Sequence, residues 1–216
     1  MNDQILTRRK QKGNKMTLSR REREKIEQKG VPYSIAAILN AWEDITLDNI
    51  SMVTDKWEQF KGIDYILSGD NGHEIYIDTK FHRGKMYKQS LTDHGVNILS
   101  IEVMKANGKK GWGINKALKT DYIVEVIGGI YYYVLDAHKL HEYMEKHYTD
   151  YPTIYSSKGH EDYRGVPVAD LINNAVIVYY APWEDIEETA LSFSNGSNEI
   201  YNNKIIPLLD GLITGR

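Results

Sequence analysis

The chain opens with a polar stretch that is followed by a charged segment of helical character. Residues 1–16 have almost no apolar content, which is typical of a segment without a core of its own. Residues 17–28 (TLSRREREKIEQ) predict a charged helix, with Ser19 as its N-cap and Gly30 as the residue that ends it. Because the apolar face of this helix is thin, we expect residues 1–30 to form an arm that is partly disordered and partly helical.

A second helix with a clear apolar face is predicted directly after the arm. Pro32 and Ser34 are suited to the start of a helix. Apolar residues then recur at positions i, i+3, i+4 and i+7, which places them on one face. They are Ile35, Ile38, Leu39 and Trp42. This stripe predicts that the helix packs against the body of the protein.

Alternating apolar and polar residues predict strands in the middle of the chain. Strands are expected at 63–67 (IDYIL), 74–81 (EIYIDTKF) and 97–104 (NILSIEVM). The Gly-Asp-Asn-Gly sequence at 69–72 predicts a tight turn between the first two strands. Since successive side chains of a strand point to opposite faces, Asp78 and Lys80 are expected on the same face.

Glycines and an aspartate divide the following segment into a hairpin and a helix. Gly128 and Gly129 separate strands at 121–127 and 130–135. Asp136 then predicts the N-cap of a helix that runs to about residue 147.

The last third of the chain has weaker patterns. Residues 149–170 contain two glycines and two prolines and therefore predict a loop. A strand is expected at 175–180 (AVIVYY), and Pro182 is expected to begin a short acidic helix. With strands and helices interspersed along 31–216, the pattern predicts one α/β domain.

Composition narrows the class of protein. The chain has 216 residues, of which 41% are hydrophobic and 26% charged, as is usual for a globular domain. It has no run of 18 apolar residues and no apolar signal region, so we expect neither a membrane span nor secretion. The absence of cysteine excludes disulfides, thiolate zinc sites and a cysteine nucleophile, and it favours the cytoplasm.

Charge is distributed unevenly along the chain. Residues 8–29 contain ten Lys and Arg against three Glu, a local charge of +7 that leaves −10 for the rest of a chain with net charge −3. A basic arm on an acidic body is suited to holding a polyanion, so we expect DNA as a partner. The expected contacts are Arg8, Arg9, Lys10, Arg20, Arg21 and Arg23. The alternative is that this arm is simply solvated.

The segment at 62–80 carries the most specific chemical signal. Two strands joined by a tight turn bring Asp64 near Asp78, and two converging carboxylates favour a divalent cation between them. An all-oxygen set of this kind suits Mg²⁺, with Mn²⁺ as a substitute. Lys80 faces the same way as Asp78 and could orient a water activated by the cation. The alternative is an exposed strand face with a weak Asp–Lys pair.

The pattern of Asp64, Asp78, Thr79 and Lys80 resembles the PD-(D/E)XK nuclease superfamily, which includes restriction endonucleases and Holliday-junction resolvases. Ile63 stands where the nominal motif has proline, and the order of elements from about residue 31 to 147 is also similar. The resemblance implies a restriction-endonuclease-like α/β core, with a central mixed sheet flanked by helices. It also implies Mg²⁺-dependent hydrolysis of DNA, most often as an endonuclease and in many members as a homodimer.

Further candidate residues lie around this motif. In the superfamily the leading helix often supplies a metal-binding Glu, which here corresponds to Glu43, and Glu102 follows on the next strand. Either carboxylate could instead be a surface residue. Lys109 and Lys110 lie in the Gly-rich loop 107–113 and are expected to contact a DNA backbone, although an ordinary surface loop is the alternative.

Three classes of function fit the sequence. The first is the metal-dependent deoxyribonuclease that the resemblance implies. The second is a nucleic-acid-binding protein that keeps the nuclease fold without cutting. The third is an unrelated α/β interaction protein, in which the motif has arisen by chance.

Overall fold

In a computed structural model, the protein forms two β-sheets flanked by helices. The structure describes residues 20–69, 72–82, 98–105, 107–156, 162–205 and 207. The helices are α1 (Arg20–Ala41), α2 (Lys56–Phe60), α3 (Ala137–His147), α4 (Val168–Asn173), α5 (Glu184–Ser194) and α6 (Glu199–Lys204). The strands are β1 (Ile50–Met52), β2 (Tyr65–Ser68), β3 (Glu74–His82), β4 (Ile98–Met104), β5 (Tyr122–Ile127), β6 (Tyr131–Asp136), β7 (Thr153–Ser156), β8 (Asp162–Pro167) and β9 (Ile177–Pro182). The predicted α/β class, with a mixed central sheet between helices, is confirmed.

The central sheet has six strands in the order β1-β2-β3-β5-β6-β9. β3 and β5 are parallel, and the remaining neighbours are antiparallel. The predicted β2–β3 and β5–β6 hairpins are both present, and Gly129 takes a positive φ of 73° in the second turn. A parallel pair needs a crossover connection, so β3 and β5 are joined through β4, which belongs to the other sheet.

The two faces of the central sheet cover two hydrophobic clusters. The first face packs on α1 and α5, with Ile77 of β3 and Val124 of β5 at its centre. The second face packs on β4, α3 and α4, with Ile123 of β5 at its centre. Successive residues of one strand point to opposite faces of the sheet, so neighbouring side chains belong to different clusters. Asp78 and Lys80 alternate with Ile77 and so lie on the second face.

The first helix differs from the prediction. We expected a charged helix ending at Gly30 and a second helix from Pro32, but α1 is continuous through both residues. Gly30 does not end the helix but is buried inside it against Phe81, where a Cβ would lie 2.5 Å from Cγ of the phenyl ring. The expected boundary of the arm at residue 30 thus falls inside α1. The predicted stripe is confirmed, since Ile35 and Ile38 are fully buried.

The smaller sheet corrects the second half of the prediction. The segment 149–170, expected to be a loop, contains β7, β8 and the start of α4. β8 pairs with both β4 and β7, and its glycine, Gly165, lies opposite Ser100 of β4. The partner that stabilises β8 lies about 60 residues earlier in the chain, and local sequence does not reveal such distant pairing.

The remaining helices follow the local sequence signals. Asp136 caps α3 as predicted, with its carboxylate accepting a hydrogen bond from the main-chain N–H of Lys139 at 3.0 Å. The acidic helix after Pro182 is also confirmed as α5. Across the residues that the structure describes, no helix is long and apolar enough to cross a membrane.

Candidate active site

Strand register brings Asp64, Asp78 and Lys80 together. β2 and β3 pair with Tyr65 opposite Ile77, which sets Asp64 opposite Asp78 at the start of β2. The main-chain N–H of Asp64 donates to the carbonyl oxygen of Ile77 at 2.8 Å and fixes this alignment. The β2–β3 hairpin therefore places both carboxylates and the lysine at one point of the sheet, as the sequence predicted.

The Asp64 carboxylate is oriented by its neighbour across the hairpin. Its Oδ2 atom accepts hydrogen bonds from the main-chain N–H of Thr79 at 2.9 Å and from the Thr79 hydroxyl at 3.0 Å. Two hydrogen bonds to one carboxylate oxygen restrict the rotation of the side chain. Thr79, which lies between Asp78 and Lys80 in sequence, thus positions Asp64 without belonging to the acidic pair.

Asp78 is the buried centre of the site. Its side chain is 4% exposed, and Oδ1 lies 2.6 Å from Nζ of Lys80. Burial raises the pKa of Asp78 to about 7; the charge of Lys80 lowers it and the nearby carboxylate of Asp64 raises it further, so that burial and Asp64 together prevail. Near neutral pH, Asp78 is therefore poised between its neutral and ionised forms.

Lys80 remains a cation in this site. Burial acts to lower its pKa, but the carboxylates of Asp78, Asp64 and Glu102 outweigh burial, and the pKa of Lys80 is raised. The lysine side chain is about one quarter exposed, whereas its partner Asp78 is almost fully buried. The ammonium group thus carries a fixed positive charge within a cluster of carboxylates.

Glu102, on β4 of the smaller sheet, contributes a further carboxylate near Lys80. Its side chain is buried, Oε1 accepts a hydrogen bond from the Tyr163 hydroxyl at 3.2 Å, and the main-chain N–H of Trp112 donates to the same carboxylate. Burial raises the pKa of Glu102 against the opposing effect of these hydrogen bonds. Because the Glu102 carboxylate also raises the pKa of Lys80, Glu102 lies near the site, in line with the prediction.

The Gly-rich loop, for which DNA contact was predicted, packs closely around Glu102. The main-chain N–H groups of Gly111 and Gly113 donate to the carbonyl oxygens of Val103 and Glu102, both at 2.9 Å. A Cβ at Gly111 would overlap the main chain of Glu102 and lie 2.7 Å from its Cγ. Sequence alone missed this role, although two glycines around a buried tryptophan were a signal of close packing.

The Gly111→Ala substitution is expected to destabilise the protein by about 1–3 kcal/mol, because β4 or the loop must move to admit the methyl group. Chemical denaturation measures the effect. Lys109→Ala, in the same loop but at an exposed side chain, is the matched control and should stay within about 0.5 kcal/mol of the wild type. Equal stability of Gly111→Ala and the wild type would contradict the tight packing around Glu102.

A second pair of ionisable groups lies beside the site. Glu125 of β5 is the register partner of Lys80, and its fully buried carboxylate lies 3.3 Å from Nε2 of His82. His82 is two residues beyond Lys80 and so faces the same side of β3. Glu125 was not singled out from the sequence, but it is the charged residue between Ile123 and Ile127 on an otherwise apolar strand face, and that position was a usable signal.

Other predicted residues are not brought to this site. Glu43 lies in the turn after α1 with an exposed side chain, and no hydrogen bond or ion pair joins it to the site among the residues that the structure describes. Lys109 is exposed, and Nζ of Lys110 lies 3.7 Å from Glu145 of α3.

Most of the predicted basic contacts lie outside the part of the chain that the structure describes. Arg8, Arg9 and Lys10 lie outside the described residues. Arg20, Arg21 and Arg23 belong to α1, but their side chains also lie outside the described part of the chain.

The donor set determines what the site can hold. Within the described ranges, no group of three or more His, Asp or Glu side chains is arranged to enclose a metal ion. The adjacent carboxylates of Asp64 and Asp78 offer two oxygen donors, and Mg²⁺ commonly binds through one or two carboxylates together with water and a substrate phosphate. The pair is therefore suited to an open Mg²⁺ site whose remaining ligands come from water and substrate. The ammonium group of Lys80 lies beside this site.

Comparison of the chain with protein-family models, with curated proteins and with solved structures found no match. The geometry of Asp64, Asp78 and Lys80 is therefore the foundation for any conclusion about function.

Proposed function

We propose that this chain is a metal-dependent nuclease that hydrolyses phosphodiester bonds of DNA. The observation that carries the proposal is a nearly buried Asp78 flanked by the Asp64 carboxylate and, at 2.6 Å, by the Lys80 ammonium group. The resemblance of residues 64–80 to the PD-(D/E)XK motif supports the same function, as does the location of that motif on two strands of a mixed sheet. We further propose that the core is restriction-endonuclease-like.

The residues fit a Mg²⁺ ion, or Mn²⁺ in its place. Asp64 and Asp78 would hold the ion, and Glu102 is a further candidate that lies close enough to influence Lys80. Burial and the neighbouring Asp64 carboxylate raise the pKa of Asp78 in the metal-free protein, and a divalent cation bound between the two carboxylates would favour the ionised form of Asp78. Bound there, the ion would polarise the scissile phosphate and promote ionisation of the attacking water.

The side chains of the site divide the remaining work. Thr79 fixes the Asp64 carboxylate through two hydrogen bonds, so this ligand is oriented before substrate arrives. Lys80 provides a positive charge that orients the attacking water and offsets the negative charge that develops at phosphorus. Its ion pair with Asp78 holds the ammonium group in place, while about one quarter of the lysine side chain is exposed.

A nuclease assay tests the proposal. Supercoiled, linear, single-stranded and branched DNA are incubated with the full chain and Mg²⁺ or Mn²⁺, and parallel samples contain EDTA. We expect cleavage that EDTA abolishes. Salt-dependent binding of DNA without cleavage would favour the alternative of a non-cleaving binding protein, and the absence of both activities would overturn the proposal.

We expect the basic arm to strengthen binding through the DNA backbone. The test is a variant without residues 1–19 that also carries Arg20→Gln, Arg21→Gln and Arg23→Gln, which removes charge while retaining the length of α1. The slope of log K against log[salt] should become shallower by about 0.7–0.9 for every phosphate that the variant no longer neutralises. Binding is measured by fluorescence anisotropy in EDTA, so that cleavage does not interfere.

A control for this experiment removes positive charge from the body of the protein by the same kind of substitution. Lys139→Gln and Lys146→Gln on α3 remove two exposed cations that lie outside the arm. Their salt slope should match that of the wild type. If the arm variant also keeps the wild-type slope, the arm does not engage DNA.

A further inference from the structure

An exposed aromatic pair lies immediately before the candidate active site. Trp57 and Phe60 of α2 are 74% and 76% exposed, more than any other large hydrophobic residue among those described. Their rings meet edge to face with centroids 6.2 Å apart. Contiguous exposed apolar side chains with polar residues around them commonly mark an interaction site.

The short helix that carries the pair is fixed to the site by main-chain and side-chain bonds. Asp55 caps its start by accepting from the N–H groups of Trp57 and Glu58. At its end, the N–H of Gly62 donates to the carbonyl oxygen of Gln59 at 3.0 Å. The side chain of Gln59 in turn donates to the carbonyl oxygen of Val53 at 2.9 Å.

Further hydrogen bonds connect this segment to Asp64, the first carboxylate residue of the site. The N–H of Val53 donates to the carbonyl oxygen of Asp64 at 2.8 Å, and the carbonyl oxygen of Gly62 accepts from the Thr120 hydroxyl ahead of β5. Phe60 thus precedes Asp64 by four residues along a firmly held segment. A group that stacks on the aromatic pair would be held at a fixed position relative to the carboxylates.

Charge around the pair suits a polyanion. The carboxylate of Asp55 is engaged by the helix N-terminus, and Glu58 lies 2.5 Å from Nζ of Lys61. Lys56 is exposed and forms no ion pair with any residue that the structure describes. The same holds for Lys119, whose main-chain N–H donates to the carbonyl oxygen of Lys61 at 2.9 Å. Lys56 directly precedes Trp57 in the chain, and Lys119 is bonded to the residue that follows Phe60, so both cations belong to the segments that hold the two rings. Exposed aromatic rings on segments with such cations match a strand of nucleic acid.

We propose that Trp57 and Phe60 form a stacking platform for unpaired bases, so that the substrate strand is single-stranded beside the site. This rests on the proposed function and specifies its substrate class. The faces of bases are accessible to side chains only where the strand is unpaired or a base has left the stack, whereas an intact duplex buries them. The platform therefore distinguishes a single strand or a junction from continuous double helix.

Binding without metal tests the platform separately from cleavage. A fluorescein-labelled 15-nucleotide oligo(dT) and a 15-base-pair duplex are titrated with the full chain in EDTA. In the Trp57→Ala/Phe60→Ala double variant, affinity for oligo(dT) should fall at least about 5-fold for each base that can no longer stack. Affinity for the duplex should change by less than about 2-fold, because no base face is exposed there.

Two matched variants separate stacking from other effects. Leu191→Ala/Ile200→Ala removes two hydrophobic side chains that are each 47% exposed on α5 and α6, and it should bind oligo(dT) as the wild type does. Trp57→Phe keeps an aromatic ring and should retain most of the affinity. It should lose the quenching of tryptophan emission by oligo(dT) that we expect of the wild type, because Trp112 and Trp183 are buried and Trp42 is partly buried against the first hydrophobic cluster.

Each outcome decides the matter. Unchanged affinity for oligo(dT) in the double variant, an equal loss for duplex, or a wild type that does not bind oligo(dT) would overturn the platform. If sedimentation shows that the pair instead holds two copies of the chain together, the platform is also overturned. If oligo(dT) binding depends on the aromatic pair but the protein never cleaves, the platform is supported and the nuclease is refuted. If cleavage depends on Asp78 but the double variant binds oligo(dT) as the wild type does, the nuclease is supported and the platform is refuted.

Discussion

Lys80→Ala and Asp78→Ala are each expected to lower the rate of Mg²⁺-dependent DNA cleavage by about 10²–10³-fold. The lysine supplies the one cation within 2.6 Å of Asp78 among the described residues, and without it the negative charge that develops at phosphorus loses a stabilising partner. The aspartate is expected to bind Mg²⁺ directly, so its loss affects both the ion and the orientation of Lys80. Single-turnover cleavage of plasmid DNA measures both variants at saturating Mg²⁺.

A matched control separates catalysis from the loss of any ion pair. Lys116 lies 2.6 Å from Glu145, at the same distance that joins Lys80 to Asp78, but on an exposed surface. Lys116→Ala should cleave at the wild-type rate. Wild-type turnover by Lys80→Ala or by Asp78→Ala, in protein that melts cooperatively, would remove that residue from the active site.

Asp78→Asn is expected to stabilise the metal-free protein increasingly as pH rises from 4 to 8. The pKa of Asp78 is raised by burial from 3.8 to about 7, so between these values the folded protein holds a proton that the unfolded chain has released. The wild type therefore loses stability from this group as pH rises, whereas asparagine has no proton to lose. The difference in unfolding free energy should grow by about 4 kcal/mol, at 1.36 kcal/mol per pKa unit.

The difference between the two proteins isolates Asp78 from other titrating groups. Glu102, with its raised pKa, and His141, whose pKa burial lowers, are present in both proteins and largely cancel. Urea unfolding in EDTA at several pH values gives the profile, and a flat difference would contradict a raised pKa for Asp78. Adding Mg²⁺ at pH 8 should stabilise the wild type more than the variant, because the ion favours the ionised carboxylate that only the wild type has.

The sequence revealed the parts of the fold that depend on neighbouring residues. Alternation along β3 predicted the shared face of Asp78 and Lys80, and Asp136 predicted the start of α3 to the residue. The continuity of α1 was missed because Gly30 is a common helix terminator. In the structure, the missing side chain of Gly30 instead lets α1 pack closely against Phe81, a residue that is distant in sequence.

The candidate site shows the same division. Asp64, Asp78 and Lys80 were predictable because one hairpin carries all three. The environment of Glu102 was not, since Tyr163 comes from β8, in a segment that local sequence assigned to a loop. The buried Glu125–His82 pair likewise depends on the parallel pairing of β3 and β5, which periodicity cannot specify.

The parallel pairing of β3 and β5 also determines when during folding the site becomes buried. The β2–β3 hairpin is local, and hairpins form within about 1–10 μs, so Asp64 and Asp78 meet while still in water. β5, whose Ile123 is the register partner of Asp78, can pair with β3 only once the chain has closed a long loop through β4, and we expect this docking to exclude water from Asp78. The proton that Asp78 gains is therefore taken up in a non-local step. If β5 docks on β3 before the folding transition state, the refolding rate should fall as pH rises from 4 to 7. If β5 docks after it, the unfolding rate should instead rise over the same range.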